Sequence, residues 1–320
     1  MDNLTLIPVT NAGTVQTTFN IKVFLEDWLS YVDVKGQSAK TYTTATRQFT
    51  SWLTGKGIRN PQREDILAYR RDLENRGVKA STIQLYIVAI RQFFKWASSR
   101  GLCNDVADNI KGAKIGKDFK KDFLQVADIQ KVLNAINRDT LTGKRDYALI
   151  ALAVTAGLRT VELARANIGD INQRAGDDVL FVQGKGKDDK AEYVKLAEPV
   201  KIAIRDYLQA RGELTADNPL FSATRQNAGD NGNRLYTESI SRIIKTHFRN
   251  VGMNSDRLTA HSLRHTAATL NLLNGGTLEE TRQMMRHTSI NTTMIYNHAI
   301  ERAKNNSEKR TAFAIFGGNL

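Results

Sequence analysis

A chain of 320 residues, 41% of them hydrophobic, has material for one large core or two ordinary ones, and a formal net charge of +13 directs it toward a polyanionic partner. The single cysteine, Cys103, excludes an intramolecular disulfide and any zinc site built on a cysteine pair. The amino terminus has no basic segment followed by an apolar run, and no apolar stretch approaches the length of a membrane span, so the expectation is a soluble, cytoplasmic protein with no membrane partner.

Residues 1–18 show no period and little apolar content, and are expected to form a flexible tail. A helical block follows over 19–110. Phe24, Leu25, Trp28, Leu29 and Val32 share one helical face. Tyr42, Ala45, Phe49, Trp52 and Leu53 line the next helix, with Ser38 as its expected cap and Gly55 and Gly57 as its end. Pro61 opens a third helix that stops at Gly77. Ser81 is the expected cap of a fourth, which carries Ile83, Ile87, Ile90, Phe94 and Trp96, and a short fifth is expected from Asn104 to Ile110. All three tryptophans lie in this block, which reads as an all-helical bundle with its own core. Residues 111–124 read as a basic linker. Lys111 to Lys121 holds five lysines and two glycines, and from Lys40 to Lys121 there are 17 Lys and Arg against 7 Asp and Glu. Any solvated linker is polar, but one so one-sided points to a phosphate backbone.

The second half, residues 125–320, opens with an amphipathic helix (Val126, Ile129, Val132, Leu133, Ile136) and a strongly apolar one over Tyr147 to Val154 that breaks at Gly157. The β signal is a hairpin: Val179–Val182 and Tyr193–Leu196 flank the turn G-K-G-K-D-D. Helical periods return at 199–210, 237–250, 260–273 and 277–286, and an apolar plug, Ala312 to Phe316, closes the chain. That plug can dock on a neighbouring copy or fold back on its own domain.

Four short segments of this half carry chemistry. T-A-G-L-R-T-V-E-L sets Arg159 just after a helix break, with Glu162 three residues on. The hairpin turn carries Lys185, with Lys187 and Lys190 as rivals. A-H-S-L-R-H-T carries His261 and Arg264 on one helical face, and M-M-R-H-T-S-I-N-T-T-M-I-Y carries His287 and, nine residues later, Tyr296. Cutting DNA without a metal requires a nucleophile for phosphorus, cations on the non-bridging oxygens, and an acid for the departing sugar oxygen. Arginine suits the clamp, since its planar fork holds phosphate in bidentate fashion and keeps its charge. Taken singly, each residue has a bland reading: Arg159 as a cation at a helix end, Lys185 as an exposed turn lysine, His261 as a first-turn residue bonded to backbone, Tyr296 as a half-buried core residue.

Taken together and in this order, the segments resemble those of the tyrosine recombinase family, the phage integrases and Xer-type recombinases, and the preceding helical block resembles the family's core-binding domain. The resemblance implies a mostly α fold: a two-domain clamp on duplex DNA, with an all-helical domain and a mainly helical catalytic domain containing a small antiparallel sheet. It implies that Arg159 and Arg264 hold the scissile phosphate and that Lys185 is the general acid toward the 5′ oxygen. His261 would assist proton transfer by accepting the tyrosine proton, His287 would bond a phosphate oxygen, and Tyr296 would form a 3′-phosphotyrosyl link. Glu162 matches an acidic position expected to orient Arg159. His265 matches a family position and is read here as structural. No cofactor or metal is implied. The implied partners are double-stranded DNA at specific sites, three further copies of the chain in a homotetramer, and accessory proteins. The implied outcome is integration or excision of a mobile element, or resolution of DNA multimers, through a Holliday junction. The chain departs from the family pattern at Arg286, where the family has glycine before the histidine. The competing readings are a type IB topoisomerase and a DNA-binding protein that has lost catalysis.

Overall fold

The computed structural model describes residues 21–34, 36–114, 123–184, 186–225, 229–296 and 306–317. It is mostly helical and divides into two compact units, Met1–Asp118 and Phe119–Leu320. The expected tail over 1–18 lies outside the described residues.

The first unit contains α1 (Ile21–Tyr31), α2 (Gly36–Gly55), α3 (Arg63–Asn75) and α4 (Ala80–Ser99). Along α4 the apolar residues Ile83, Ile87, Ile90, Phe94 and Ala97 recur every three or four positions, and all are buried. That spacing gives one apolar stripe, which must find a partner surface. It finds Trp28, Phe49, Leu53, Ile66, Tyr69 and Leu73. Several aromatic rings meet edge to face or tilted (Trp28 with Phe93 at 5.5 Å, Phe49 with Tyr69 at 5.1 Å, Phe49 with Phe94 at 6.2 Å), while Trp28 stacks on Tyr42 at 5.7 Å. Three sequence expectations need correction. Ser38 lies inside α2, which starts at Gly36, and Ser81 lies inside α4, whose cap is Lys79. Residues 104–110 form turns rather than a helix. They are nonetheless anchored, because Ala107 and Ile110 enter the same core. The described part of the basic segment, 111–114, runs along this unit, where Arg70 donates to the Lys111 carbonyl at 2.7 Å.

The second unit is built around α6 (Leu141–Ala156), of which eleven of sixteen residues are buried. A helix apolar on every side belongs in the interior. Thr140 caps its start, accepting from the Gly143 N–H at 3.0 Å, and Gly157 ends it in the left-handed conformation, φ 59°. Around it lie α5 (Val126–Asn134), α7 (Thr160–Arg165), α8 (Glu198–Arg211), α9 (Thr237–Asn250), α10 (Ala260–Leu273), α11 (Leu278–Met285) and a helical segment over 290–296, here α12. The expected hairpin is present as β2 (Asp177–Val182) and β3 (Glu192–Lys195), in antiparallel register with Leu180 opposite Val194. The sequence reading missed β1 (Ile171–Arg174), which pairs with β2, and the second hairpin of β4 (Ser222–Arg225) and β5 (Gly229–Arg234). Both are short and polar, so neither shows the apolar alternation by which a strand is read. Asp146 ties α6 to α9: it accepts from Arg145 Nε at 2.8 Å and faces His247 Nε2 at 2.8 Å, so buried charge is paired. The carboxy-terminal plug is part of a helix, α13 (Ser307–Phe316). No described helix is long and apolar enough to cross a membrane.

Because Trp28, Trp52 and Trp96 all belong to the first unit, tryptophan fluorescence reports on that unit alone. Phe49→Ala, which empties the centre of its core, should lower the unfolding free energy read by this signal in urea by about 3–5 kcal/mol. A loss under ~1 kcal/mol would mean that the core is not packed as described.

Candidate active site

The break after α6 sets the geometry. Gly157 turns the chain in a left-handed conformation, Leu158 is buried, and Arg159 caps α7. The Gly157 carbonyl is thereby turned toward two arginines, Arg264 Nη1 at 2.5 Å and Arg286 Nη2 at 3.5 Å. Arg159 and Glu162 close on each other across the first turn of α7. Glu162 accepts from the Arg159 backbone N–H at 2.8 Å and from its guanidinium at 2.8 Å. The Glu162 side chain is fully buried, whereas that of Arg159 keeps 31% of its surface exposed. The guanidinium is therefore held from below and open above.

Helix α10 brings His261, Arg264 and His265 to the same place. Thr259 precedes its first turn, and its N–H donates to the Ser262 hydroxyl at 3.0 Å. Arg264 is 1% exposed and donates to the Gly157 and Met285 carbonyls, pinning α10 to the end of α6 and to the end of α11. Burial, with the charges of Arg159 and Arg286, pulls its pKa down to about 9, which still leaves it protonated at neutral pH.

Helix α11 starts in a capping box, with Thr277 N–H donating to Glu280 at 2.7 Å and Glu280 N–H to Thr277 Oγ1 at 3.1 Å. It ends at Arg286, φ 52° and ψ 47°, a left-handed position where a residue with a Cβ costs roughly 1–2 kcal/mol over glycine. The Arg286 N–H bonds the Gln283 carbonyl and the His287 N–H bonds the Arg282 carbonyl, both at 3.0 Å, so the helix closes as glycine-ended helices do. This closure sends His287 back into the protein beside Tyr296. His287 is 7% exposed, and its Nδ1 faces Thr293 Oγ1 at 2.9 Å. Burial, then the charges of Arg264, Arg159, Arg286 and His261, lower its pKa from 6.5 to about 4.

Tyr296, on α12, is 4% exposed. Its ring lies parallel to that of His287 at 6.3 Å and edge-on to His265 at 5.2 Å, and His265 in turn meets His261 at 4.5 Å. Burial raises the Tyr296 pKa, while Arg264 and Arg159 act to lower it. The phenol is thus neutral at rest and needs a base. Two grooves border the cluster. One, of about 770 Å³, is lined by Arg159, Arg242, Lys245 and His261; the other, of about 1100 Å³, by Arg282, Arg286 and His287 among others.

Of the six residues read from the sequence, the structure brings Arg159, His261, Arg264, His287 and Tyr296 into one cluster. Lys185 lies outside the described residues. Of its rivals, Lys190 is engaged with Asp170 at 2.5 Å and Lys187 is exposed. Sequence reasoning set His265 aside, yet its ring bridges His261 and Tyr296. The signal was available: position 265 lies one helical turn after 261 and so shares its face. Among the described residues no group of three or more His, Cys, Asp or Glu could hold a metal ion.

Comparison with known proteins identifies the family and the fold. Residues 122–302 match the phage integrase family, and residues 22–102 match the N-terminal SAM-like domain of phage integrases. The chain is 29% identical over 284 residues to tyrosine recombinase XerD of Listeria monocytogenes, covering 86% of this chain and 93% of that one. It is 30% identical to tyrosine recombinase XerA of Pyrococcus furiosus, covering 85% and 88%. Its 32% identity to tyrosine recombinase XerC of Thermodesulfovibrio yellowstonii spans only 59% of this chain and 61% of the relative. Among solved structures, the XerH recombinase on its difH substrate has the same fold at a TM-score of 0.68 and 20% identity, over 85% of this chain and 80% of that one. A lambda integrase dimer on a core site matches at 0.65 and 16%, over 85% and 96%.

His287 should therefore stay neutral through the physiological range, its ring protons titrating near pH 4 by NMR. The sign for stability follows from linkage. As pH falls below 6.5 the unfolded chain takes up a proton that the folded chain refuses, so stability is full above 6.5 and declines toward 4. Unfolding midpoints of the second unit, followed by circular dichroism, should fall more steeply in that window for wild type than for His287→Gln. Equal slopes would remove His287 as the cause.

Proposed function

The chain belongs to the phage integrase family of tyrosine recombinases, and from this premise we propose that it is a site-specific DNA recombinase that cuts and rejoins strands through Tyr296. The observation that carries the reading is the meeting of three things in one unit: a buried phenol, two guanidiniums whose charge reaches it, and a partly exposed face on one of them. A phosphodiester seated on that face would place a non-bridging oxygen on Arg159, in the field of the buried Arg264 charge, where charge develops during displacement. The Tyr296 oxygen attacks phosphorus and forms a 3′-phosphotyrosyl ester, and the 5′ oxygen leaves. Lys185 supplies the leaving oxygen's proton. The Tyr296 proton passes to the histidines of α10, with His265 between the phenol and His261 in the line of ring contacts. His287, held neutral, can donate a hydrogen bond to a phosphate oxygen from the ring nitrogen that Thr293 does not occupy.

The phosphotyrosyl ester stores the energy of the broken bond, so the reverse attack by a 5′ hydroxyl from a second duplex completes an exchange with no further energy source. Four copies then suffice to exchange both strands in two steps, and a lambda integrase tetramer bound to a Holliday junction shares this fold at a TM-score of 0.67 and 15% identity. Whether the product is an integrated element, an excised one or a resolved multimer depends on where the two sites lie, not on the strand chemistry.

Two experiments bear on this reading. Nicked suicide substrates drawn from the DNA flanking the chain's own gene should yield an SDS-resistant protein–DNA adduct with wild type and none with Tyr296→Phe. An adduct from both would move the nucleophile elsewhere. Assembly is tested at α13, where Phe313, Ile315 and Phe316 are each about two-thirds exposed. Residues this apolar on a short helix need a partner surface, and we assign them to a second copy. Deleting 311–320 should abolish four-subunit complexes on paired sites in a gel-shift assay while single-site binding persists. Unchanged assembly would discard that role for the helix.

A further inference from the structure

Position 286 carries an arginine in a backbone conformation that glycine adopts freely and arginine does not. The Arg286 side chain is 4% exposed, and its Nη2 meets Glu162 Oε2 at 2.7 Å. Its Nη1 donates to the Met284 carbonyl at 2.6 Å. Glu162 thus has two cationic partners, Arg159 on Oε1 and Arg286 on Oε2. Burial acts to raise the Glu162 pKa, but it lies below the ordinary value, and the Arg286 charge is the largest influence that holds it there, ahead of the bond from the Arg159 backbone and the Arg159 charge.

The balance of charge follows directly. Without Arg286, the buried carboxylate of Glu162 would be neutralised by Arg159 alone, and the field of one clamp arginine would be largely cancelled where a phosphate must sit. With Arg286, two cations surround one anion below the site, so the Glu162 charge is shared and no longer cancels that of Arg159 alone. The effect reaches beyond the pair, since the Arg286 charge also acts on Arg264 and His287. We infer that Arg286 is a positioning residue for strand cleavage: by sharing the Glu162 charge it leaves the field of Arg159 uncancelled and its guanidinium oriented toward the phosphate, without itself needing to touch DNA.

The inference rests on the recombinase reading above, and its test separates the two. Adduct formation is followed in single-turnover mode on a nicked suicide substrate, and DNA affinity separately by gel shift. Wild-type adduct that Tyr296→Phe abolishes upholds the reading; its absence sinks the reading and the inference together. On a substrate that wild type cleaves, Arg286→Gly, which relieves the backbone but removes the charge, should slow adduct formation roughly tenfold to a hundredfold, the range typical when a group orienting a reacting ligand is lost. DNA affinity should change by less than about threefold, since binding is dominated by many phosphate contacts. Glu162→Gln combined with Arg286→Gly should regain most of the rate, because no buried carboxylate then remains to be neutralised. Should the glycine variant fail to fold, Arg286→Lys against Arg286→Gln decides: the charged variant stays within about tenfold of wild type, and the neutral one does not. Three results overturn the inference and leave the recombinase reading standing. They are an Arg286→Gly rate equal to wild type, a loss in affinity that accounts for the loss in rate, and a double variant no faster than Arg286→Gly.

Discussion

A guanidinium taken out of water is tolerated only where acceptors replace the solvent, and the second unit is organised around one that meets this condition. Arg264 is buried, and its hydrogen bonds to the Gly157 and Met285 carbonyls join the ends of α6 and α11 to the middle of α10. Neither carbonyl would face it if the chain continued as regular helix. Both are freed because their helices end there, one at Gly157 and the other at Arg286, each left-handed. The two helix ends and the buried cation therefore require one another.

Each remaining feature of the site follows from that junction. The turn at Gly157 delivers Arg159 to the start of α7, where Glu162 can grip both its backbone and its side chain. The turn at Arg286 delivers His287 to the interior, close enough to the cations that its imidazole is kept neutral. Tyr296 fills the space between His287 and the α10 histidines, shielded from water and within reach of two positive charges. Its hydroxyl is thus kept protonated until a neighbouring base removes the proton. A site made of cations, a neutral His287 imidazole and a neutral phenol suits an anion that arrives from outside.

Much of this was legible in order along the chain. The apolar stripe of α4, the uniformly apolar α6, Gly157 as its stop and the β2–β3 hairpin all follow from local period and turn chemistry. The segments carrying Arg159, His261, Arg264, His287 and Tyr296 were recognisable as a set. Less legible were features whose causes are not local. Strands β1, β4 and β5 are short and mostly polar, so no apolar alternation marks them. Residues 104–110 have a helical look but form turns, because burying Ala107 and Ile110 in the first core outweighs a weak local preference.

Residue identity by itself determined the chemistry on offer: a tyrosine, arginines and histidines in a fixed order, a basic chain suited to phosphate, and helix stops at the positions where the chain must turn. Only the tertiary structure decided how those groups are partnered. His265 lies between His261 and Tyr296 rather than merely beside them in sequence, and Arg286 lies against Glu162 from 124 residues away. The reason is physical: period, capping and turn propensity act over a few residues, whereas the pairing of a buried charge is settled by whichever distant group the folded core brings within a few ångströms.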